Sequence, residues 1–253
     1  MIKSWSDVNV KLWTELSEIK KLKDTLTTTE FYIEIIAFLE DISPDDSIFD
    51  EMSSGELFRK INESSWVWSI PDSLPKPHNG LVPKPLNDLT LGEFVDLESF
   101  QTDIESNLSR VAALLWRKTR QNEWGNTIWE PYEYDLESRL VDFSTAPITS
   151  IYPILGVYQK WRQNFFENYA ELFMTEEDKV EIEALEDEGN YSRTEAKKAE
   201  ILEERQKKWS WEALIWNMAG EDMCQIIPLL QLPVLLVFNM LSMKHSLSEN
   251  NTK

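Results

Sequence analysis

Cysteine, glycine and histidine are scarce in this chain. The single cysteine, Cys224, rules out an internal disulfide, so a secreted fold built on disulfides is excluded. Seven glycines are few for an all-β protein, which needs many tight turns. One cysteine and two histidines, His78 and His245, are not enough to form a Cys/His zinc pattern.

Sequence motifs of catalysis and cofactor binding are also missing. There is no glycine-rich nucleotide loop and no loop with calcium-binding spacing. His78 lies in a proline-rich stretch and His245 near the C-terminal end, where we expect solvated imidazoles and not members of a Ser–His–acid triad. Acid pairs such as Glu130 with Glu133 could serve sugar hydrolysis, but 45 acids produce such pairs by chance. The sequence therefore predicts a non-enzymatic protein with no catalytic residues, no cofactor and no metal.

Positive charge is in deficit, with 25 Lys and Arg against 45 Asp and Glu and a formal net charge of −20. Nucleic-acid binders need cations that neutralise phosphates, so direct binding of DNA or RNA is disfavoured. Anionic membrane surfaces are disfavoured for the same reason. The charge suits a basic protein partner, and it is also explained by solubility alone. An acidic mimic of DNA is an alternative suggested only by the charge.

Apolar residues are plentiful, at 42% of the chain with 11 tryptophans, and their spacing is helical. We therefore predict a mainly α, multi-helix fold. Residues 1–69 form a predicted N-terminal helical subdomain, whose first helix starts at Ser6 or Asp7. Thr29 is the predicted cap of a second helix, and Ser53 with Glu56 forms a capping-box pattern.

Five prolines within residues 70–88 predict a linker, because proline fits neither a regular helix nor a central strand. A central helical domain is predicted over 89–174, opened by the capping-box pair Thr90 and Glu93. Within it we predict a helix that ends in the cations Arg117, Lys118 and Arg120, a short helix over 135–142, and a longest helix over about 153–173.

The last third of the chain alternates sharply between charged and apolar sequence. Residues 175–208 predict a solvated, charged helical spacer, and 209–245 a C-terminal apolar helical segment. No formal charge occurs over the 21 residues from Met223 to Met243, a length that could span a bilayer. Pro228 and Pro233 instead favour a hairpin of two short buried helices, so a membrane span is disfavoured. We expect a disordered tail over 246–253.

A tryptophan-rich stretch at the start of the apolar segment is the predicted partner-binding site. Tryptophan residues dominate the binding energy of many protein interfaces. The alternative is a small satellite core formed with residues 223–243. A similar choice, between aromatic packing and stacking on a sugar or base, applies to Trp124, Trp129 and Tyr132. The residues of the predicted partner-binding site are Trp209, Trp211, Leu214, Ile215 and Trp216.

The order of several short motifs resembles that of tail-assembly-chaperone-like proteins of tailed bacteriophages. The N-terminal block, SWSDVNVKLWTEL through SSGELFRKI, is similar to the small helical unit with which those proteins often begin. Further along the chain the similar elements are LTLGEFVDLESF at 89–100, Trp116–Arg117, Pro131–Tyr132, Phe165–Tyr169, Trp209 with Trp211, Met218–Ala219–Gly220, Asp222 and Leu232–Pro233.

This resemblance implies a function in virion morphogenesis. Proteins of that family bind the helical tape-measure protein and keep it soluble while the tail tube assembles. The resemblance implies a tape-measure or other virion protein as partner and a location in the host cytoplasm during assembly. Self-association of the chain is compatible with this function. The resemblance implies no catalytic residue and no cofactor. In some phages a translational frameshift adds the C-terminal part, and residues 175–208 are where such a junction is expected. A structural virion protein, at the head–tail junction or inside the capsid, is the alternative.

Overall fold

The chain folds mainly into helices, as its apolar spacing predicts. The computed structural model describes residues 2–69, 74–131, 140, 143–174, 176–187, 193–194, 196–198, 200–201 and 211–250. Most of the predicted helix at 135–142, most of the spacer beyond 187, Tyr132 and Trp209 lie outside these residues. The chain divides into two compact units, the first made of 1–84 with 97–157 and the second of 85–96 with 158–253. Each unit therefore combines stretches that are distant in sequence, whereas the predicted segments are contiguous.

Helices of the first part of the chain supply buried side chains to the core of the first unit. Trp13, Leu16, Ile35 and Trp116 are almost wholly buried in this core. Short 3-10 helices at Trp5–Asp7, Leu22–Asp24, Ser65–Trp68, Leu86–Asp88 and Gln101–Asp103 fill several of the connections along the chain. The α-helices up to residue 151 are α1 (Val10–Lys21), α2 (Thr28–Glu40), α3 (Ile48–Glu51), α4 (Ser54–Glu63), α5 (Leu91–Ser99), α6 (Leu108–Leu115) and α7 (Ile148–Ile151).

Four of the predicted helix starts can be compared with the caps in the structure. The capping boxes at Ser53 and Thr90 are confirmed, with Glu56 and Glu93 closing them. The cap predicted at Thr29 is wrong, since Thr27 caps α2 and Glu30 completes the box. The first helix also starts later than predicted. Asn9 is the residue that accepts from the backbone of Leu12 and caps α1.

Two short antiparallel strand pairs include the residues that follow α6, where the sequence predicted the end of a helix. Strands β1 (Val82–Pro83) and β2 (Trp116–Arg117) pair, and β3 (Thr119–Gln121) pairs with β4 (Thr127–Trp129). The prediction that Arg117, Lys118 and Arg120 end a helix is therefore wrong. The helix stops at Leu115 because the buried Trp116 pairs with Pro83, and its indole donates to the carbonyl of Lys76 at 2.9 Å.

The second unit contains most of the long aromatic helix and the C-terminal apolar helices. The helix predicted to reach Phe173 ends at Asn168, and a separate turn of helix follows Tyr169. Gly220, at φ +65°, follows the end of the helix Trp211–Met218, and the side chain of Asp222 caps the next helix. The helices from residue 153 onward are α8 (Pro153–Asn168), α9 (Ala170–Phe173), α10 (Glu176–Asp187), α11 (Trp211–Met218), α12 (Met223–Leu230) and α13 (Val234–Asn250).

An aromatic core centred on Phe94 and Phe238 holds α13 in place. The ring of Phe238 lies 4.8 Å from that of Phe165 and 5.3 Å from that of Tyr169. The hydroxyl of Tyr169 also donates to the side-chain oxygen of Asn239 at 2.8 Å. Backbone hydrogen bonds between residues 89–91 and 232–234 fix the point where α13 begins.

Candidate protein-binding surface

The short helix α12 is almost entirely apolar, yet none of its side chains is buried. Met223 is 70% exposed and Ile227 is 62% exposed. A helix that is apolar all round is normally covered on every side in a folded protein. The prediction of two helices divided at Pro233 is confirmed, but α13 continues to Asn250 and is not short. The prediction that both are buried is wrong for α12, because the rest of the second unit covers it only in part.

The last helix, α13, is covered on one side only. Its buried side consists of Val234, Val237 and Phe238, which belong to the aromatic core. Another row of apolar side chains faces outward. These exposed residues are Leu236 (46%), Met240 (52%), Met243 (62%) and Leu247 (57%). The prediction that the disordered tail begins at residue 246 is wrong, because Ser246 and Leu247 continue this helix.

Together these side chains form the C-terminal apolar surface, which we define as Met223, Ile227, Leu232, Leu236, Met240, Met243 and Leu247. Large exposed groups of apolar side chains mark binding surfaces on soluble proteins. Methionine is flexible and polarisable, so it adapts to irregular partner surfaces. Three of the chain's seven methionines belong to this surface.

The predicted partner-binding residues on α11 are divided between core and surface. Trp211 is half-buried, with its ring 5.2 Å from that of Phe94 and 6.3 Å from that of Phe238. Ile215 is buried and Leu214 is half-buried, whereas Trp216 is 38% exposed. Trp211 therefore takes part in the satellite packing that the sequence offered as the alternative, and Trp216 remains accessible.

The exposed row on α13 was not among the binding residues predicted from the sequence. The signal was present in the sequence, because residues 236, 240, 243 and 247 follow one another at steps of four, three and four. Between residues 234 and 238 every position is apolar, so the residue types there do not separate the buried side from the open side.

Groups suited to chemistry are not gathered at this surface. Among the described residues, no cluster of three or more His, Cys, Asp or Glu could hold a metal ion. His245 on α13 and His78 in the first unit are half-buried, which corrects the expectation that both are solvated. A cavity of about 280 Å³ lies in the first unit, and Ile36, Trp66 and the ion pair of Lys60 with Glu40 line it.

Comparisons with known proteins add no relative to this picture. No protein-family model matches the chain, and neither does any curated protein or any solved structure. Within the part of the chain that the structure describes, no helix has the length and apolarity needed to cross a membrane.

Proposed function

We propose that this protein binds a helical segment of another protein and keeps it soluble during assembly, without carrying out a reaction. The observation that carries the proposal is the C-terminal apolar surface, which leaves one side of α13 and much of α12 in water. Exposed apolar area costs free energy, about 25 cal/mol for each Å², so covering it favours association. A helix-binding surface of this kind lets a chaperone mask apolar residues of its partner until assembly proceeds.

The motif order of the chain supports a more specific version of this proposal. In that version the protein is a tail assembly chaperone of a bacteriophage, acts in the host cytoplasm and binds the tape-measure protein. The support is the similarity of the motifs between residues 89 and 233, together with an acidic, mainly helical chain that exposes apolar helices.

Co-expression with the tape-measure protein encoded beside it tests the specific version. We expect an affinity tag on this chain to recover both proteins, because each would cover apolar helices of the other. Independent recovery of the two would count against the proposal. Detection of this chain by mass spectrometry in purified virions would favour the alternative, a structural protein of the particle.

Two tryptophan variants separate binding from packing in the same experiment. Trp216→Ala should weaken capture of the partner with little change in melting temperature, because this indole is 38% exposed. Trp211→Ala should lower the melting temperature, because its ring packs on Phe94 and Phe238. If Trp216→Ala lowered the melting temperature as much as Trp211→Ala and left capture intact, α11 would have no part in binding.

A further inference from the structure

The spacing of the exposed row on α13 indicates the secondary structure of the segment that it binds. Leu236, Met240, Met243 and Leu247 occur at steps of four, three and four, so alternate members of the row lie seven residues apart, as in a coiled-coil seam. Such a seam receives the side chains of one helix lying along it. Over 11 residues it extends for about 17 Å, roughly three helical turns.

The charge of the protein indicates whether the row binds a second copy of the chain or a different protein. Each copy carries a formal net charge of −20, so two copies that meet at this row repel each other. The sequence contains no acidic residue between Asp222 and Glu249, so the row itself lies in a stretch without acids. The apolar contact can therefore form with a helix whose charge opposes that of the protein.

Acidic side chains also occur on the elements that pack against α13. Helix α9 contacts α13 and carries the exposed Glu171. Glu167, also exposed, lies two residues before Tyr169, whose ring contacts Phe238. On α13 itself Lys244 follows Met243 and provides a local cation. The carboxylates of the surrounding unit favour a partner whose flanking residues are mainly Lys and Arg.

We infer that the row Leu236–Met240–Met243–Leu247 binds one amphipathic helix of a different protein, with a heptad apolar stripe flanked by basic side chains. This inference rests on the proposed function and adds the geometry and charge class of the partner. The apolar stripe supplies most of the contact, and the charge raises the association rate and selects against acidic helices.

The test uses the full chain and two synthetic peptides of four heptads. Both peptides carry the same Leu residues at the seam, with Lys at the flanking positions of one and Glu at those of the other. Fluorescence anisotropy of labelled peptide gives each dissociation constant at about 0.05 M and about 0.5 M NaCl, because screening separates the charge effect from the apolar effect. We expect the Lys peptide to bind at least about tenfold tighter at low salt, and the difference to shrink at high salt.

A matched pair of variants locates the binding. Met243→Glu places a charge in the seam, whereas Val180→Glu adds the same charge at a helix position of similar exposure, 65% against 62%. Neither side chain is buried, so both variants should fold. We expect Met243→Glu to weaken binding of the Lys peptide at least about tenfold, and Val180→Glu to change it less than about twofold.

The other outcomes overturn different parts of the inference. Equal binding of both peptides, lost in Met243→Glu, would reject the basic partner and leave the proposed function standing. Absence of binding by either peptide would reject the helix-binding surface and the proposed function with it. If sedimentation showed a dimer of the unmodified chain that Met243→Glu dissociates, the occupant would be a second copy and the inference would be wrong.

Discussion

Tyr152 is a nearly buried polar residue of the first unit that has a specific charged partner. The hydroxyl of Tyr152 donates to the carboxylate of Glu105 at 2.9 Å, and its ring packs against Trp13. Burial, and then the nearby negative charge of Glu105, raise the pKa of Tyr152 above its ordinary value of 10.0. The neutral hydroxyl is therefore the form that the folded protein stabilises.

Tyr152→Phe tests this arrangement through the pH dependence of stability. In the unfolded chain Tyr152 ionises near pH 10, but in the folded protein it stays protonated. Its contribution to the free energy of unfolding is therefore present below that pH and is lost as the pH rises. We expect the variant to be less stable at pH 7 by about 1.5–3 kcal/mol, the range for a hydrogen bond to a charged group. Urea unfolding between about pH 8 and 11 should show a shallower alkaline loss in the variant.

Tyr32→Phe is the control for this experiment, since Tyr32 is a half-buried tyrosine in the same unit. The alkaline profiles of the unmodified protein and of the two variants are compared with one another. Superimposable profiles for all three proteins would show that Tyr152 does not titrate differently in the folded and unfolded states.

Several N-terminal tryptophans have an internal role around Lys20. The ammonium of this lysine lies 4.5 Å from the ring centre of Trp13 and 5.4 Å from that of Trp68, and it donates to the carbonyl of Val67 at 3.0 Å. Burial lowers the pKa of Lys20. These indoles stabilise a half-buried cation by cation–π attraction.

At the scale of elements, the helix starts depend on side-chain caps. Thr27 caps α2, and the carboxylate of Glu30 accepts from the backbone N–H of Thr27 at 2.9 Å. We expect Thr27→Ala to lower the free energy of unfolding by about 1 kcal/mol, because one N–H of the first turn loses its acceptor. Thermal or urea unfolding measures the change.

Thr29→Ala provides a matched comparison, because Thr29 lies inside the first turn of the same helix and is also exposed. Alanine is a better helix former than threonine there, so the change should be neutral or slightly stabilising. Equal destabilisation by the two variants would contradict the assignment of the cap to Thr27.

Elements with a distinct local signal were predicted well, and elements defined by pairing were not. The capping boxes at Ser53 and Thr90 and the break at Pro233 are local, because residues within one turn decide them. The pairing of Pro83 with Trp116 joins residues 33 positions apart, and no sequence pattern near Trp116 predicts it. A strand of two or three residues has too little periodicity to be recognised from sequence.

At the scale of the whole molecule, the net charge of −20 should oppose folding through self-repulsion. Raising NaCl from about 0.01 M to about 0.15 M shortens the Debye length from about 30 Å to about 8 Å and weakens this repulsion. We expect the melting temperature to rise by about 2–4 °C, which corresponds to about 1 kcal/mol in a chain of this size. Scanning calorimetry at several salt concentrations measures it, and a falling melting temperature would show that ion pairs outweigh repulsion.

The sequence by itself determined the helical class, the acidic character and the division of the C-terminal apolar run at Pro233, because composition and local turn signals suffice for these. Only the tertiary structure decided which apolar residues are covered. Val237 and Met240 are both apolar residues of one helix, yet one is buried in the aromatic core and the other is half exposed. Burial depends on which neighbours the rest of the chain supplies, and that is a property of the packed molecule and not of any single stretch of residues.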